Sequence, residues 1–190
     1  QFPSRVEYIP NGVDLGQFNK VQKSKNSGKF TIGYVGIISS WFFDFDLIKL
    51  IANTYKDSII KLVGPIDPLA KAKVLGLSQF KNIKIEGIRE YKMLPKIMSS
   101  FDVGLIPLIQ SEKVYQLNSG KFLQYLAINI PIISVPFKEF ERFKDSVYFC
   151  KNDQEFLDSI NSLILNKNKK HHNPKLLKEF DWDKITKHVD

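Results

Sequence analysis

The sequence predicts an α/β fold: a Rossmann-like, doubly wound parallel sheet of about six strands with helices on both faces. Three observations lead there. Short β-branched runs recur along the chain, they are apolar at nearly every position as in strands buried on both faces, and amphipathic helical patterns separate most of them. The strand candidates are 30–38 (FTIGYVGII), 58–65 (SIIKLVGP), 83–88 (IKIEGI), 103–109 (VGLIPLI), 130–136 (IPIISVP) and 147–150 (VYFC).

Helices fit between them. The first runs from Asp44 to Tyr55 with Leu47, Ile48, Leu50 and Ile51 as its apolar stripe. Others are expected from Lys92 to Ser100, from Ser119 to Ile128, and from Asn152 to Leu165, where Asn152 and Glu155 have the spacing of a capping box. The stretch 66–81 is expected to hold a short helix. At the amino end, 5–18 (RVEYIPNGVDLGQF) reads as a strand halted at Pro10, a turn at Asn11 and Gly12, and then a polar loop. Residue 1 therefore reads as the middle of a longer protein with a partner domain upstream, and residues 1–190 as one domain.

Composition narrows the function classes. With 43% hydrophobic and 25% charged residues the chain has the make-up of a soluble globular domain, which excludes extensive disorder. Its apolar runs fall well short of the ~20 residues that span a bilayer, and no secretory signal opens it, so a cytoplasmic protein is expected. The lone cysteine, Cys150, excludes an internal disulfide and a Cys-rich metal site, and is expected at a buried strand end. All three histidines, His171, His172 and His188, lie in the C-terminal tail, so the α/β body has no material for a histidine metal cluster or a Ser-His-Asp triad. Asp44, Asp46, Asp67 and Asp102 read as helix-start, turn or strand-start residues. No metal or other cofactor is expected, and a general base is expected from outside this domain.

The net charge of +8 calls for a polyanionic partner: nucleic acid, an anionic membrane surface or a phosphorylated small molecule. Lysines are scattered, and the clusters at 20–29 and 166–172 lack the interleaved aromatics of a single-strand binder. That distribution argues against nucleic acid as the partner, and none is expected. Peripheral contact with an anionic membrane stays among the partners the charge allows.

In open α/β sheets ligands bind beyond the carboxyl ends of the strands, where strand order reverses. That directs attention to the loops 36–42, 64–67, 87–91 and 109–120. The last of these enters NSGKFLQYLAINIP (118–131), where Asn118 or Ser119 can cap a helix and Gly120 lets a ligand approach the backbone. Free N–H groups at the positive end of the helix dipole would hold an anion, Lys121 adds a full charge, and Gln124 can reach a hydroxyl such as that of a ribose. Stepping 100° per residue puts Phe122, Leu123, Leu126 and Ala127 on one side and Lys121, Gln124, Tyr125 and Ile128 on the other. The same residues also fit an ordinary capped helix with a solvated polar face. After the first strand, Gly36, Ser39 and Ser40 could reach a phosphate. Gly87 and Ile88 could read the edge of a flat base, with Arg89 pairing with phosphate or merely solubilising.

Taken in order, YIPNGVDLGQF, IGYVGIISSWFFDFDLI, IKLVGP, IKIEGIREYKMLPKIMSSFDVGLIPL, NSGKFLQYLAINIPIISVP and FDWDKI resemble the C-terminal, donor-binding domain of GT-B-fold glycosyltransferases of the retaining GT4 type, over roughly residues 5–187. The resemblance implies half of a two-domain enzyme whose N-terminal, acceptor-binding domain is absent from this chain. It implies a nucleotide diphosphate sugar as donor, no metal, and a glycan or lipid-linked acceptor, with this fragment alone inactive. On it, the amides of Ser119 and Gly120 with Lys121 meet the diphosphate, Gln124 meets the ribose, and Asn118, Gly36, Ser39, Ser40, Gly87, Ile88 and Arg89 complete the donor site. Lys121 and Gln116 take the catalytic positions. Many relatives carry two glutamates separated by seven residues where this chain has Gln116 and Gln124, and a basic pair after the first strand that GIISSWFF lacks. The alternative that follows is a non-catalytic nucleotide-binding or interaction module of the same fold; a two-domain sugar-nucleotide epimerase fits the local motifs less well.

Overall fold

The computed structural model describes residues 9–22, 24, 28–117, 119–166 and 177–188. Among them six strands form one sheet: β1 (Thr31–Val35), β2 (Ile59–Val63), β3 (Ile83–Gly87), β4 (Val103–Ile106), β5 (Ile132–Ser134) and β6 (Tyr148–Phe149). Their order is β3-β2-β1-β4-β5-β6 and every neighbouring pair is parallel. Helices α1 (Leu15–Phe18), α2 (Phe45–Thr54), α3 (Lys71–Leu75), α4 (Leu94–Met98), α5 (Glu112–Tyr115), α6 (Gly120–Ile128), α7 (Asp153–Ile164) and α8 (Trp182–Ile185) surround it.

The expected doubly wound parallel sheet is therefore present, and all six strand candidates form. β1, β4 and β5 are buried at every residue, as continuous apolar runs require, whereas edge strand β3 is fully buried only at Ile83. The chain lays down β1, β2 and β3 in one direction and then crosses back to place β4 on the far side of β1. Strand order reverses between β1 and β4, so the crevice for a ligand opens there.

Local signals set the helix ends. Asp44 accepts from the N–H groups of Asp46 and Leu47 and starts α2, which buries Leu47, Ile48 and Ile51. Asn152 accepts from the Glu155 N–H at 3.0 Å while the Glu155 carboxylate takes the Asn152 amide at 2.9 Å, forming the cap expected for α7. Asn129, at φ 60°, closes α6 in the left-handed conformation. Cys150 is buried just past β6.

Three expectations are corrected. The helix expected from Lys92 to Ser100 is a 3-10 turn, Tyr91–Met93, followed by α4: Pro95 lacks an N–H and is accommodated only in the first helical turn, so α4 starts at Leu94. The polar loop expected up to residue 18 instead contains α1, started by the Asp14 carboxylate on the Gln17 N–H at 2.9 Å and anchored by buried Leu15 and Phe18. Tyr125 and Ile128, placed with the polar side of α6 by angular position, are buried. The strand expected before Pro10 and the basic cluster at 166–172 fall mostly outside the described residues.

Candidate functional site

Beyond Gly33 and Gly104, β1 and β4 make no further ladder pairs, and Tyr125 of α6 fills the divergence. Its hydroxyl accepts from the Val35 N–H at 3.0 Å and donates to the Gly33 carbonyl at 3.2 Å, so a phenol does what the neighbouring strand no longer does. Its ring lies against Gly104, where a Cβ would stand only 2.7 Å from the Tyr125 Cγ. These contacts fix α6 over the crevice with its amino end facing the strand tips.

Lys121, on the first turn of α6, runs back across the end of β1. A Cβ on Gly36 would lie 2.1 Å from the Lys121 Cε and 2.7 Å from the Tyr34 hydroxyl, so the lysine takes this path across the end of β1 because residue 36 is glycine. Gly64 is constrained in the same way: a Cβ there would meet the Gly36 carbonyl oxygen at 2.1 Å. The backbones interlock as well, with the Gly36 N–H on the Val63 carbonyl and the Gly64 N–H on the Gly87 carbonyl, each at 2.8 Å. Burial holds the Lys121 pKa below its ordinary value, and no described carboxylate forms an ion pair with it. A desolvated cation without a partner carries a standing cost that an incoming anion relieves.

Two cavities flank this lysine. One, about 260 Å³, is lined by the ends of β1 and β2 at Val35, Gly36, Val63 and Gly64, by Ile88, Arg89 and Tyr91 after β3, and by Gln124. The other, about 270 Å³, runs under Ile37 and Phe42 to Leu108, Leu117 and Phe137, with Asn11 and Ser119 at its polar side. Ile37, Gly120 and Lys121 border both. The Ser119 side chain makes no capping bond to α6 at the same point.

The structure thus gathers Gly36, Ile88, Arg89, Ser119, Gly120, Lys121 and Gln124 around one crevice. Arg89 is exposed, with Nη1 on the Ile88 carbonyl at 3.1 Å and Nη2 3.8 Å from Glu86. Gly87 contributes its backbone turn, at φ 65°. Others are placed elsewhere. The buried Ser39 hydroxyl donates to Asp67 at 2.9 Å and accepts from the Trp41 N–H, so it ties the loop after β1 to the loop after β2, and neither Ser39 nor Ser40 lines either cavity. That set of donors, led by the Leu69 N–H, holds the Asp67 carboxyl below the usual carboxylate range. Gln116 is exposed at the end of α5, gives its amide to Glu112 at 2.8 Å, and lines neither cavity. Asn118 lies outside the described residues. Tyr34, Ile37 and Tyr91 were not foreseen as site residues; Tyr91 closes the loop 87–91 singled out in the sequence, and its position two residues beyond Arg89 after a strand end was the available signal.

Among the described residues no group of three or more His, Cys, Asp or Glu is arranged to hold a metal ion, and no helix is long and apolar enough to cross a membrane.

No family model and no curated protein matches the chain. Solved structures do: Anabaena Alr3699/HepE in complex with UDP-glucose is similar at TM-score 0.74 and 16% identity, over 95% of this chain and 55% of that one. Sucrose-phosphate synthase from Thermosynechococcus elongatus follows at 0.71 and 16%, over 95% and 50%, and WaaG, a glycosyltransferase involved in lipopolysaccharide biosynthesis, at 0.62 and 14%, over 98% and 52%. The chain spans about half the length of these structures, and at such identities the likeness is one of fold.

Proposed function

We propose that this chain is the donor-binding half of a glycosyltransferase that takes a nucleotide diphosphate sugar. One observation carries the reading: a desolvated Lys121, with no ion-pair partner among the described residues, at the start of α6, where the Ser119 side chain makes no capping bond, standing between two cavities at the strand-order reversal. The cavity at Ile88, Arg89 and Gln124 suits a nucleoside, Lys121 and the α6 amides suit the diphosphate, and the cavity at Ile37, Phe42 and Leu117 suits the glycosyl group. Three of the similar structures, all of Anabaena Alr3699/HepE, hold UDP with glucose, UDP, or UDP-glucose, which supports this class of ligand.

The chemistry follows from where charge develops. As the glycosidic bond breaks, negative charge accumulates on the departing diphosphate, and a preorganised ammonium with oriented amides stabilises that charge more than the ground state. Lys121 and the α6 amino end supply this without a metal. The reading places the acceptor, a glycan or a lipid-linked glycan, on an N-terminal domain outside this chain, with retention of anomeric configuration, a hexosyl-type donor, a cytoplasmic location at the inner face of a membrane, and no turnover by this half alone. A second reading, nucleotide binding without transfer, is favoured by one observation: no carboxylate lines either cavity, and Gln116 lies outside both.

Calorimetric titration of the chain with UDP, GDP and ADP tests the proposal. Binding of at least one, weakened by Lys121→Ala about 10- to 150-fold as expected for loss of a charge-assisted hydrogen bond, supports it. Absence of binding at millimolar concentration, or indifference to Lys121→Ala, overturns it.

A further inference from the structure

The cavity that reaches Leu117 and Phe137 is walled mainly by hydrocarbon: Ile37, Phe42, Ile106, Leu108, Leu117 and Phe137 line it, while its polar groups gather at Asn11, Ser119 and Lys121. The Tyr34 hydroxyl also borders it and already donates to the Ile37 carbonyl at 2.8 Å. Main-chain groups behind the wall are turned to one another. The Phe42 carbonyl accepts from the Ile109 N–H at 2.8 Å, the Pro107 carbonyl from the Asp44 N–H at 2.9 Å, and Phe43 bridges Leu108 in antiparallel sense. The loop after β1 is thereby zipped to the segment after β4, and these groups have no call on a ligand. Ile106, Leu108 and Phe137 are buried, so the wall belongs to the packed core and keeps its shape.

A nucleotide diphosphate sugar diverges in two directions from its diphosphate. With the diphosphate at Lys121 and the nucleoside in the cavity of Arg89 and Gln124, the glycosyl group enters the second cavity. A plain hexose carries hydroxyl groups around its ring. One pressed against this wall gives up its bonds to water without replacing them, whereas a methyl group gains from the same contact. A hexose acquires a methyl in two simple ways: loss of O6 turns C6 into one, and acetylation of a 2-amino group brings one on an acetamide.

We propose that the apolar wall makes this cavity selective for a methyl-bearing sugar, a 6-deoxyhexose or an N-acetylated hexosamine, over the plain hexose. This rests on the nucleotide-sugar reading and narrows its donor class. The methyl lies on the wall, and the remaining hydroxyls turn to the side of Asn11 and Ser119. Selection comes from the difference between burying a hydroxyl on hydrocarbon and burying a methyl there.

Calorimetric titration of the chain with matched pairs tests this: UDP-glucose against UDP-6-deoxyglucose and against UDP-N-acetylglucosamine, GDP-mannose against GDP-6-deoxymannose, and ADP-glucose against ADP-6-deoxyglucose, beside UDP, GDP and ADP alone. At least one methyl-bearing sugar is expected to bind about 5- to 100-fold more tightly than its plain partner on the same nucleotide. A preference within the 6-deoxy pairs assigns the wall to a C6 methyl, and one for UDP-N-acetylglucosamine assigns it to the acetamide methyl. Phe42→Tyr and Leu117→Gln, at positions that are not fully buried, each put a hydrogen-bonding group on the wall. At least one of them is expected to bring the ratio to within about threefold, whereas Leu117→Met, which keeps the hydrocarbon, retains it. Each ratio is taken between two sugars on one protein, so a general loss of affinity cancels. Equal affinities, a preference for the plain hexose, a ratio that both polar variants leave unchanged, or one that Leu117→Met also abolishes overturns the inference while leaving the nucleotide site standing. Absence of binding by every nucleotide overturns the site and this inference together.

Discussion

Substituting Gly36 by alanine tests the packing that holds Lys121 in place. The added Cβ would stand 2.1 Å from the Lys121 Cε and 3.0 Å from its Cδ, against an ordinary carbon–carbon separation of about 3.5–4.0 Å. The lysine stem must retreat by more than about 1 Å, and a charge-assisted hydrogen bond from its ammonium to a diphosphate does not survive such a shift. The expected loss is about 1.5–3 kcal/mol, or about 10- to 150-fold in affinity for the tightest-binding nucleoside diphosphate. Stability also falls, because Gly36 has φ 157° and alanine there carries about 1–3 kcal/mol of backbone strain. For a chain of this length each kcal/mol lowers Tm by about 2–4 °C. The decisive comparison is a double-mutant cycle followed by calorimetry. In Lys121→Ala the clashing stem is gone and only the Tyr34 hydroxyl, 2.7 Å from the added Cβ, remains in the way, so Gly36→Ala there should weaken binding by a clearly smaller factor than in the wild type. If Gly36→Ala weakens binding by the same factor in both backgrounds, or leaves it intact in the wild type, the lysine is not the group through which Gly36 acts.

Three further outcomes are expected. Tyr125→Phe strips the Val35 N–H and the Gly33 carbonyl of their hydroxyl partner, at a cost of about 1–3 kcal/mol, read as a lowered Tm or denaturant midpoint. Ser39→Ala removes the donor to Asp67 and the acceptor for the Trp41 N–H, and should lower Tm while leaving nucleotide affinity within about twofold, which parallel melting and titration would check. Lys121 gives opposite pH trends for stability and binding. Its folded pKa lies below the ordinary 10.5, so between the two values the unfolded chain binds more protons, and this group makes the free domain more stable as pH rises. Diphosphate affinity should instead decline with rising pH as the amine loses its charge, and Lys121→Ala should flatten both trends in pH-resolved melts and titrations.

The parts of this fold that were legible in the sequence are those where one local signal decides. β1 and β4 are apolar at nearly every position because both faces are covered, and Asp44 and Asn152 act within their own turns. Lys121 and Gln124 were legible for the same reason, since the first turn of a helix after a parallel strand faces the crevice whatever else surrounds it. Angular position on α6 misplaced Tyr125 because its hydroxyl is satisfied by main-chain groups of a strand about 90 residues away in sequence, in space left by Gly104, and no local pattern reports such a partner. The partner of Ser39 was hidden similarly: its proximity to a strand end suggested phosphate, and the structure shows its hydroxyl donating to Asp67, from the loop after the next strand. The dependence of Lys121 on Gly36 is likewise a long-range contact, visible only once β1 and α6 are brought together.

The most direct test of a nucleotide diphosphate site at the head of α6 is an amide chemical-shift titration of the 15N-labelled chain with UDP, GDP and ADP. The account predicts that at least one perturbs Gly36 and Ile37, Ile88 and Arg89, and Gly120 to Gln124 together and saturably, while α7, which lines neither cavity, stays still. Perturbations confined to exposed lysines away from α6, or none at all, would contradict it.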